Sequence, residues 1–131
     1  MHVSTMIKGA IFSLFAVILG AFGAHALKAV LTAEQLDSFN TAVRYLMFHG
    51  LALLVIGIIK EKMHHPWIKI SGLLIFSGTI LFSGSIILLV CRKILGMEFL
   101  TVLGPVTPIG GTILIAGWIY LILALLKEKQ S

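Results

Sequence analysis

Four long apolar runs follow one another along the chain, and each is closed by basic residues or a short polar turn. They cover about residues 8–27, 41–60, 69–91 and 108–126. A membrane-spanning helix needs roughly 20 predominantly apolar residues, because the hydrocarbon core is about 30 Å thick. The pattern therefore predicts an all-α integral membrane protein, one domain over residues 1–131, whose four transmembrane helices form a compact antiparallel bundle.

The segment that precedes the second apolar run has the polarity of a soluble helix. Thr32 is followed three residues later by Gln35, a spacing typical of a capping box, and this predicts a helix that opens near Ala33. Nothing interrupts the helical pattern before Lys60, so the helix is longer than one span. We therefore expect an interfacial helical extension before the second span. In the same way, Thr107 followed by Pro108 predicts the N-cap and first turn of the fourth helix.

Composition supports the membrane class. The chain is 59% hydrophobic and 11% charged, with a mean hydropathy of +1.09, whereas a soluble domain carries about 25% charged residues. The net charge of +5 comes from lysines that cluster at the ends of the apolar runs. We interpret them as topology anchors that contact membrane lipids, and not as a nucleic-acid-binding surface.

The distribution of lysine and arginine over the loops predicts the orientation. The side that holds both termini and the second loop carries six of them, and the opposite side carries four. Because cytoplasmic loops are enriched in basic residues, both termini are predicted to be cytoplasmic. The six are Lys8, Lys60, Lys62, Lys69, Lys127 and Lys129, and the four are Lys28, Arg44, Arg92 and Lys93.

Small residues recur at helical spacing on three of the runs. Such stripes let two helix backbones approach closely in a membrane, so they predict tight helix packing, although glycine and alanine are also simply common in membrane helices. Whether the stripes meet within one chain or between copies is left open. The helix-packing residues are Gly9, Ser13, Ala16, Gly20 and Gly23 on the first run, Gly78 and Gly84 on the third, and Gly110, Gly111 and Gly117 on the fourth.

A polar cluster is predicted in the leaflet away from the termini. At 1.5 Å per residue, Arg44 lies about 6 Å and His49 about 13 Å below that boundary. An arginine in hydrocarbon costs about 2.5 to 3.5 kcal/mol, so Arg44 is predicted to face the interior and to bond backbone carbonyls near Gly23. An anion or lipid-headgroup site and snorkelling to the surface are the alternatives. The cluster comprises His25, Asn40, Arg44, Tyr45, His49, Ser83, Ser85 and Thr107.

The residues of this cluster do not form a recognisable cofactor site or catalytic motif. His25 and His49 could suggest a haem or metal site, but their depths differ by about 10 Å, so we expect hydrogen-bonded packing histidines and no cofactor. Ser83 stands beside glycine without a base or oxyanion donors, and no other catalytic motif is present. The sequence predicts a protein that is not an enzyme.

Four segments, in this order, resemble a family of small membrane proteins catalogued as domain of unknown function 423. They are GAFGAHALK (20–28), FNTAVRYLMFHGLALL (39–54), GTILFSGSIILL (78–89) and TPIGGTILIAGW (107–118). The resemblance implies a four-helix membrane protein with His25, Arg44, His49, Ser83 and Thr107 at motif positions, and it implies no agreed activity.

The residues and the resemblance together lead to one functional expectation and one alternative. We expect a homo-oligomeric protein of the bacterial plasma membrane with a structural or accessory role, acting on membrane integrity or on a partner membrane protein. The alternative is a small transporter or channel whose polar pathway passes Arg44, His49 and Ser83.

Overall fold

A computed structural model describes residues 2–130, and its described residues form four long helices and no strand. The helices are α1 (His2–Leu27), α2 (Ala33–Lys62), α3 (Pro66–Val90) and α4 (Val106–Gln130). Within α1, Leu19–Gly23 form a wider π-helical turn, and a short 3-10 helix at Glu98–Leu103 precedes α4. All four helices are long and apolar enough to cross a membrane. The prediction of an all-α, four-span architecture is confirmed.

Helix caps were predicted at Thr32 and Thr107, and the structure can be compared with both at the starts of α2 and α4. The capping box is confirmed, because the backbone N–H of Gln35 donates to Thr32 Oγ1 at 3.1 Å and the N–H of Thr32 donates to Gln35 Oε1 at 3.0 Å. The N-cap predicted at Thr107 is wrong, since α4 already begins at Val106. Pro108 remains compatible with this earlier start because it lies in the first turn, where a backbone N–H has no partner in the helix.

The helices pack mainly against their neighbours in the chain. The closest packing joins α3 to α4 and α1 to α2, and α2 packs against α3 between these two pairs. Contacts such as Gly23 with Phe39 and Gly9 with Gly50 run in opposite directions along α1 and α2, so the pair is antiparallel. Among the described residues, α1 and α4 do not pack face to face. The row of helices is therefore open at its two ends, which leaves grooves between helices that are not neighbours.

The small-residue stripe of α1 meets α2 within the same chain. A methyl group at Gly9 would lie 2.5 Å from the carbonyl oxygen of Gly50, and Ala16 is only 2% exposed. The hydroxyl of Ser13 donates to the Gly9 carbonyl at 3.0 Å, so it does not oppose the close approach. Gly20 also faces α2, but it is exposed, and a methyl group there would lie 3.4 Å from the Val43 side chain, an ordinary contact that does not require a glycine. The two helices thus cross where Gly9 faces Gly50.

A second glycine seam joins α3 to α4. A methyl group at Gly78 would lie 3.0 Å from the Leu114 side chain, and one at Gly117 would lie 2.8 Å from the Ile75 side chain. The hydroxyl of Ser71 donates to the Gly117 carbonyl at 2.8 Å across this seam. The role predicted for Gly84 is wrong, since nothing lies within 4 Å of the position its side chain would take.

The C-terminal end of α3 is closed by its own basic residue. Arg92 Nη1 donates to the Leu89 carbonyl at 2.6 Å, and its Nε lies 3.6 Å from Glu98 Oε2. A cation suits a helix C-terminus, where carbonyls lack helical partners. Cys91 beside it is half-buried, and this burial raises the pKa of its thiol. Gly96 has a φ of 68°, which lets the chain reverse towards α4.

Candidate functional site: a lateral groove beside His49

A groove of about 630 Å³ opens sideways between α2 and α4, with Phe82 of α3 at its floor. It exists because α2 and α4 both pack on α3 and not closely on each other. Its walls are mainly aromatic and aliphatic, the usual lining of a site for an apolar ligand. The lining residues are Tyr45, Phe48, His49, Phe82, Pro108, Gly111, Thr112, Leu114, Ile115 and Trp118.

His49 forms the polar part of the wall, and both of its ring nitrogens are engaged. The indole Nε1–H of Trp118 donates to His49 Nε2 at 3.0 Å, while His49 Nδ1 lies 2.7 Å from the Tyr45 carbonyl oxygen. Because an indole N–H can only donate, Nε2 must accept, and Nδ1 must carry the proton that it donates to Tyr45. The geometry therefore fixes the imidazole as a neutral ring in one tautomer. His49 is buried, with only 5% of its surface exposed.

An aromatic group surrounds this hydrogen bond. The Tyr45 ring stacks on His49 with centroids 5.8 Å apart and lies 4.7 Å from the Phe82 ring. Tyr45 and His49 are four residues apart, so they share one face of α2. Trp118 meets the imidazole edge-on at 5.8 Å. The rings fix the shape of the groove and leave an apolar surface with few free polar groups.

The predicted serine and threonine residues lie in the helix seams beside the groove. The hydroxyl of Ser83 donates to the Ala42 carbonyl at 2.8 Å and so links α3 to α2. Ser85 donates to the Phe82 carbonyl at 3.0 Å, and its oxygen lies 2.5 Å from Thr107 Oγ1. Since Ser85 has one proton and gives it to Phe82, Thr107 is the donor in the bond that links α4 to α3.

The prediction that Arg44 faces the interior is wrong. Arg44 is exposed, and its guanidinium donates to Thr41 Oγ1, one turn earlier on the same helix, at 3.2 Å. The buried positions Ala42 and Leu46 lie two residues before and after it, which places Arg44 on the opposite side of the helix at about 100° per residue. The proposed brace to the carbonyls near Gly23 is not formed. An exposed arginine fits snorkelling or a contact with lipid headgroups.

Two further members of the predicted cluster stay apart from the groove. His25 is exposed near the end of α1, and Asn40 is half-buried near the start of α2. Neither side chain makes a hydrogen bond within residues 2–130. The predicted cluster thus separates into groove residues Tyr45 and His49, seam residues Ser83, Ser85 and Thr107, and surface residues His25, Asn40 and Arg44.

Most groove residues were not among the predicted cluster, and two of them, Phe82 and Trp118, contact Tyr45 and His49 directly. Trp118 and Phe82 lie on α4 and α3, and their contacts with His49 and Tyr45 depend on how these helices are rotated towards α2. One signal was present, because an indole N–H inside an apolar span needs an acceptor. The neutral imidazole of His49 is such an acceptor at a comparable depth. No three histidine, cysteine or carboxylate side chains that could share a metal ion come together in the described part of the chain.

Comparison with known proteins decides the family. The profile of a family described as "Protein of unknown function (DUF423)" matches residues 19–111. The chain belongs to this family. The resemblance found in the four quoted segments is thereby confirmed, and the match includes most groove residues, among them Tyr45, His49 and Phe82.

Relatives of this DUF423 protein occur in Staphylococcus aureus. Proteins named UPF0382 membrane protein in strains bovine RF122 / ET3-1, USA300 and N315 are each 44% identical to it over 124 residues. The alignments cover 93% of this chain and 94% of each relative. No solved structure matches the chain. The relatives' names describe membrane proteins, and this DUF423 chain is a membrane protein too.

Proposed function

We propose that this DUF423 protein is a non-enzymatic accessory protein of the bacterial plasma membrane, with both termini in the cytoplasm. It supports membrane integrity or a partner membrane protein by holding an apolar segment in the groove beside His49. The observation that carries the proposal is the groove itself, about 630 Å³ of mainly apolar space that opens sideways from the helices. A sideways opening admits a lipid chain or a transmembrane segment directly from the bilayer.

The engagement of the polar groups favours binding over catalysis. A nucleophilic serine requires a base within hydrogen-bond reach and oxyanion donors around the reacting atom. Ser83 and Ser85 instead donate to backbone carbonyls, and both nitrogens of His49 are held by Tyr45 and Trp118. These groups stabilise the helix packing, so they are not poised for proton transfer.

The same engagement argues against a transport pathway through one chain. The buried hydroxyl of Thr79 donates to the Ile75 carbonyl at 2.6 Å, as other buried hydroxyls donate to backbone carbonyls. Towards the termini the core is formed by apolar side chains such as Leu53, Ile56 and Leu121. A solute would meet no continuous row of free polar groups along this route.

Site-specific photo-crosslinking in living cells tests the proposal. A photoreactive amino acid at Ile115, which lines the groove, is compared with one at Ile122, which is equally apolar, 54% exposed, and outside the groove on the same helix. We expect discrete adducts at Ile115 that the Ile122 control does not give. The adduct mass distinguishes a lipid, a second copy of the chain and another membrane protein. Identical adduct patterns at the two positions would refute a specific groove occupant.

A flux measurement tests the transporter alternative directly. Purified protein in liposomes is compared with the His49→Ala variant across a panel of ions and small solutes. We expect no flux above empty liposomes for either protein. Flux that depends on His49 would overturn the accessory role and support the pathway predicted from the polar cluster.

A further inference from the structure

Three lysines from three helices surround a small cavity at the end of the molecule that carries both termini. Lys8 of α1, Lys60 of α2 and Lys69 of α3 line it together with Ser4 and Thr5. Its volume of about 120 Å³ corresponds to roughly four water molecules. This space suits one phosphate group and is too small for an extended organic ligand.

Two of the ammonium groups are held in position by neighbouring side chains. Lys60 Nζ donates to Thr5 Oγ1 at 3.0 Å, and Thr5 is only 8% exposed. Lys8 Nζ lies 4.6 Å from the centroid of the Phe76 ring, a cation–π contact. The Thr5 hydroxyl accepts from Lys60 and keeps its own proton for another acceptor. The cavity is thus lined by preorganised donors from several helices.

The positive charge of the cavity has no anionic partner in its wall. None of the described residues that line it is acidic. The neighbouring carboxylate of Glu61 lies 2.8 Å from His2 Nε2 instead. Because the ammonium groups of Lys8, Lys60 and Lys69 share this one small cavity, their like charges repel one another. Because Leu53, Gly72 and Leu73 complete the wall, water screens this repulsion less than at an open surface. A bound anion would relieve it.

Aromatic residues place this end of the molecule at the membrane surface. Trp67 meets Tyr120 edge-on with centroids 6.1 Å apart, and the His65 ring lies 4.9 Å from the Trp67 ring. Tryptophan and tyrosine concentrate at the level of the lipid headgroups. Lys69 follows Trp67 by two residues, so the cavity lies at the depth where lipid phosphates are found.

We propose that Lys8, Lys60 and Lys69 form a binding site for a phosphate group, supplied by the headgroup of an anionic lipid or by free phosphate. Three ammonium groups and two hydroxyls provide the charge and the donors that a phosphate requires. The site shares no lining residue with the groove beside His49. A failure of the phosphate site would therefore leave the function proposed for the groove unaffected, and the reverse also holds.

Titrations of the purified full-length protein in neutral detergent test the site. One arm measures bound phosphatidylglycerol by native mass spectrometry, and the other measures inorganic phosphate by the broadening of its ³¹P resonance. We expect Lys69→Gln to weaken binding about fivefold, the contribution of one basic residue near an anionic surface. Lys69→Arg retains the charge and should stay within about twofold of the wild type.

The matched control is Lys62→Gln, which removes an exposed lysine at the same end that does not line the cavity. Thermal unfolding of each variant verifies that it is folded, and Lys8→Gln provides a second variant if Lys69→Gln is not. Selective weakening in the lipid arm assigns a headgroup phosphate, and selective weakening in the phosphate arm assigns a free anion. Equal effects of Lys62→Gln and Lys69→Gln, or no effect of Lys69→Gln, would overturn the proposal.

Discussion

The glycine seam between α3 and α4 supports a quantitative prediction for Gly110→Ala. A methyl group at Gly110 would press on the backbone nitrogen of Phe82 and lie 2.8 Å from the carbonyl carbon of Leu81. An ordinary contact begins at 3.4 Å, so relieving the Leu81 contact alone requires a separation of 3.4 minus 2.8, about 0.6 Å. Backbone atoms cannot rotate away as a side chain would. The two helices must therefore move apart.

The cost follows from the interactions that this separation weakens. A gap of 0.5 to 1 Å forfeits about a quarter to a half of each dispersion contact, and roughly twenty atom pairs near Gly110 then lose about 1 kcal/mol. The bond between Ser85 and Thr107, one turn earlier on α4, is weakened too, and membrane interhelical bonds contribute about 0.6 to 1.7 kcal/mol. The sum is about 2 kcal/mol.

The neighbouring Gly111→Ala variant is the matched control. It introduces the same alanine into the same helix, with the same gain in helix propensity of about 1 kcal/mol. A methyl group at Gly111 meets only the Phe82 ring at 3.6 Å, an ordinary contact. We therefore expect Gly110→Ala to be about 2 kcal/mol less stable than Gly111→Ala, or about thirtyfold in the unfolding equilibrium.

Unfolding by sodium dodecyl sulfate in mixed micelles measures this difference, with the fluorescence of Trp67 and Trp118 and the far-UV circular dichroism as readouts. Both variants are titrated beside the wild type at one protein concentration. Equal midpoints for Gly110→Ala and Gly111→Ala would refute the close approach of α3 and α4 at Gly110.

The remaining predictions concern the polar side chains and use the same unfolding assay unless stated. Trp118→Phe removes the donor to His49 and should cost about 1 kcal/mol; the ¹⁵N shift of His49 Nε2 should then change while Nδ1 stays protonated, because the Tyr45 carbonyl still accepts from it. An unchanged Nε2 shift would contradict the assigned bond. Ser83→Ala removes an interhelical bond and should cost about 0.6 kcal/mol, whereas Ser77→Ala, whose hydroxyl bonds within its own helix, should cost nothing measurable. Arg44→Ala should lower the free energy of unfolding by less than about 0.5 kcal/mol, since exposed contacts contribute little. A larger loss would support the bond between Arg44 and backbone carbonyls of the interior.

The sequence predicted the positions of the helices along the chain because the relevant signals are local. The apolar runs and the Thr32–Gln35 box depend only on residues close to one another in sequence. The stripe of α1 was recoverable from its spacing for the same reason, and Gly9 and Ala16 are buried as expected. The packing role predicted for Gly84 was wrong, since a glycine in a stripe of small residues need not face a partner helix.

The rotation of each helix about its own axis could not be predicted equally well. A helix that is apolar all round has no preferred face in its composition, so the sequence fixes the depth of a residue and not its direction. Arg44 and His49 were therefore grouped by depth, although Arg44 is exposed and His49 is buried. The buried positions Phe39, Ala42 and Leu46 mark the true interior face of α2, and Arg44 lies off it.

The glycines of the two seams pack against helices of the same chain, and this limits how copies of this DUF423 protein could associate. Gly9 faces Gly50, and Gly110 faces the backbone of Phe82, so these small residues are not available at an outer surface. Apart from Gly20 and Gly84, the outer surface of the helices is mainly large and apolar, as at Phe22, which is 72% exposed, and at Ile115 in the groove, which is 62% exposed. Contacts between copies would therefore place bulky side chains into the grooves of an open row of helices, which is the same event that the Ile115 crosslink detects.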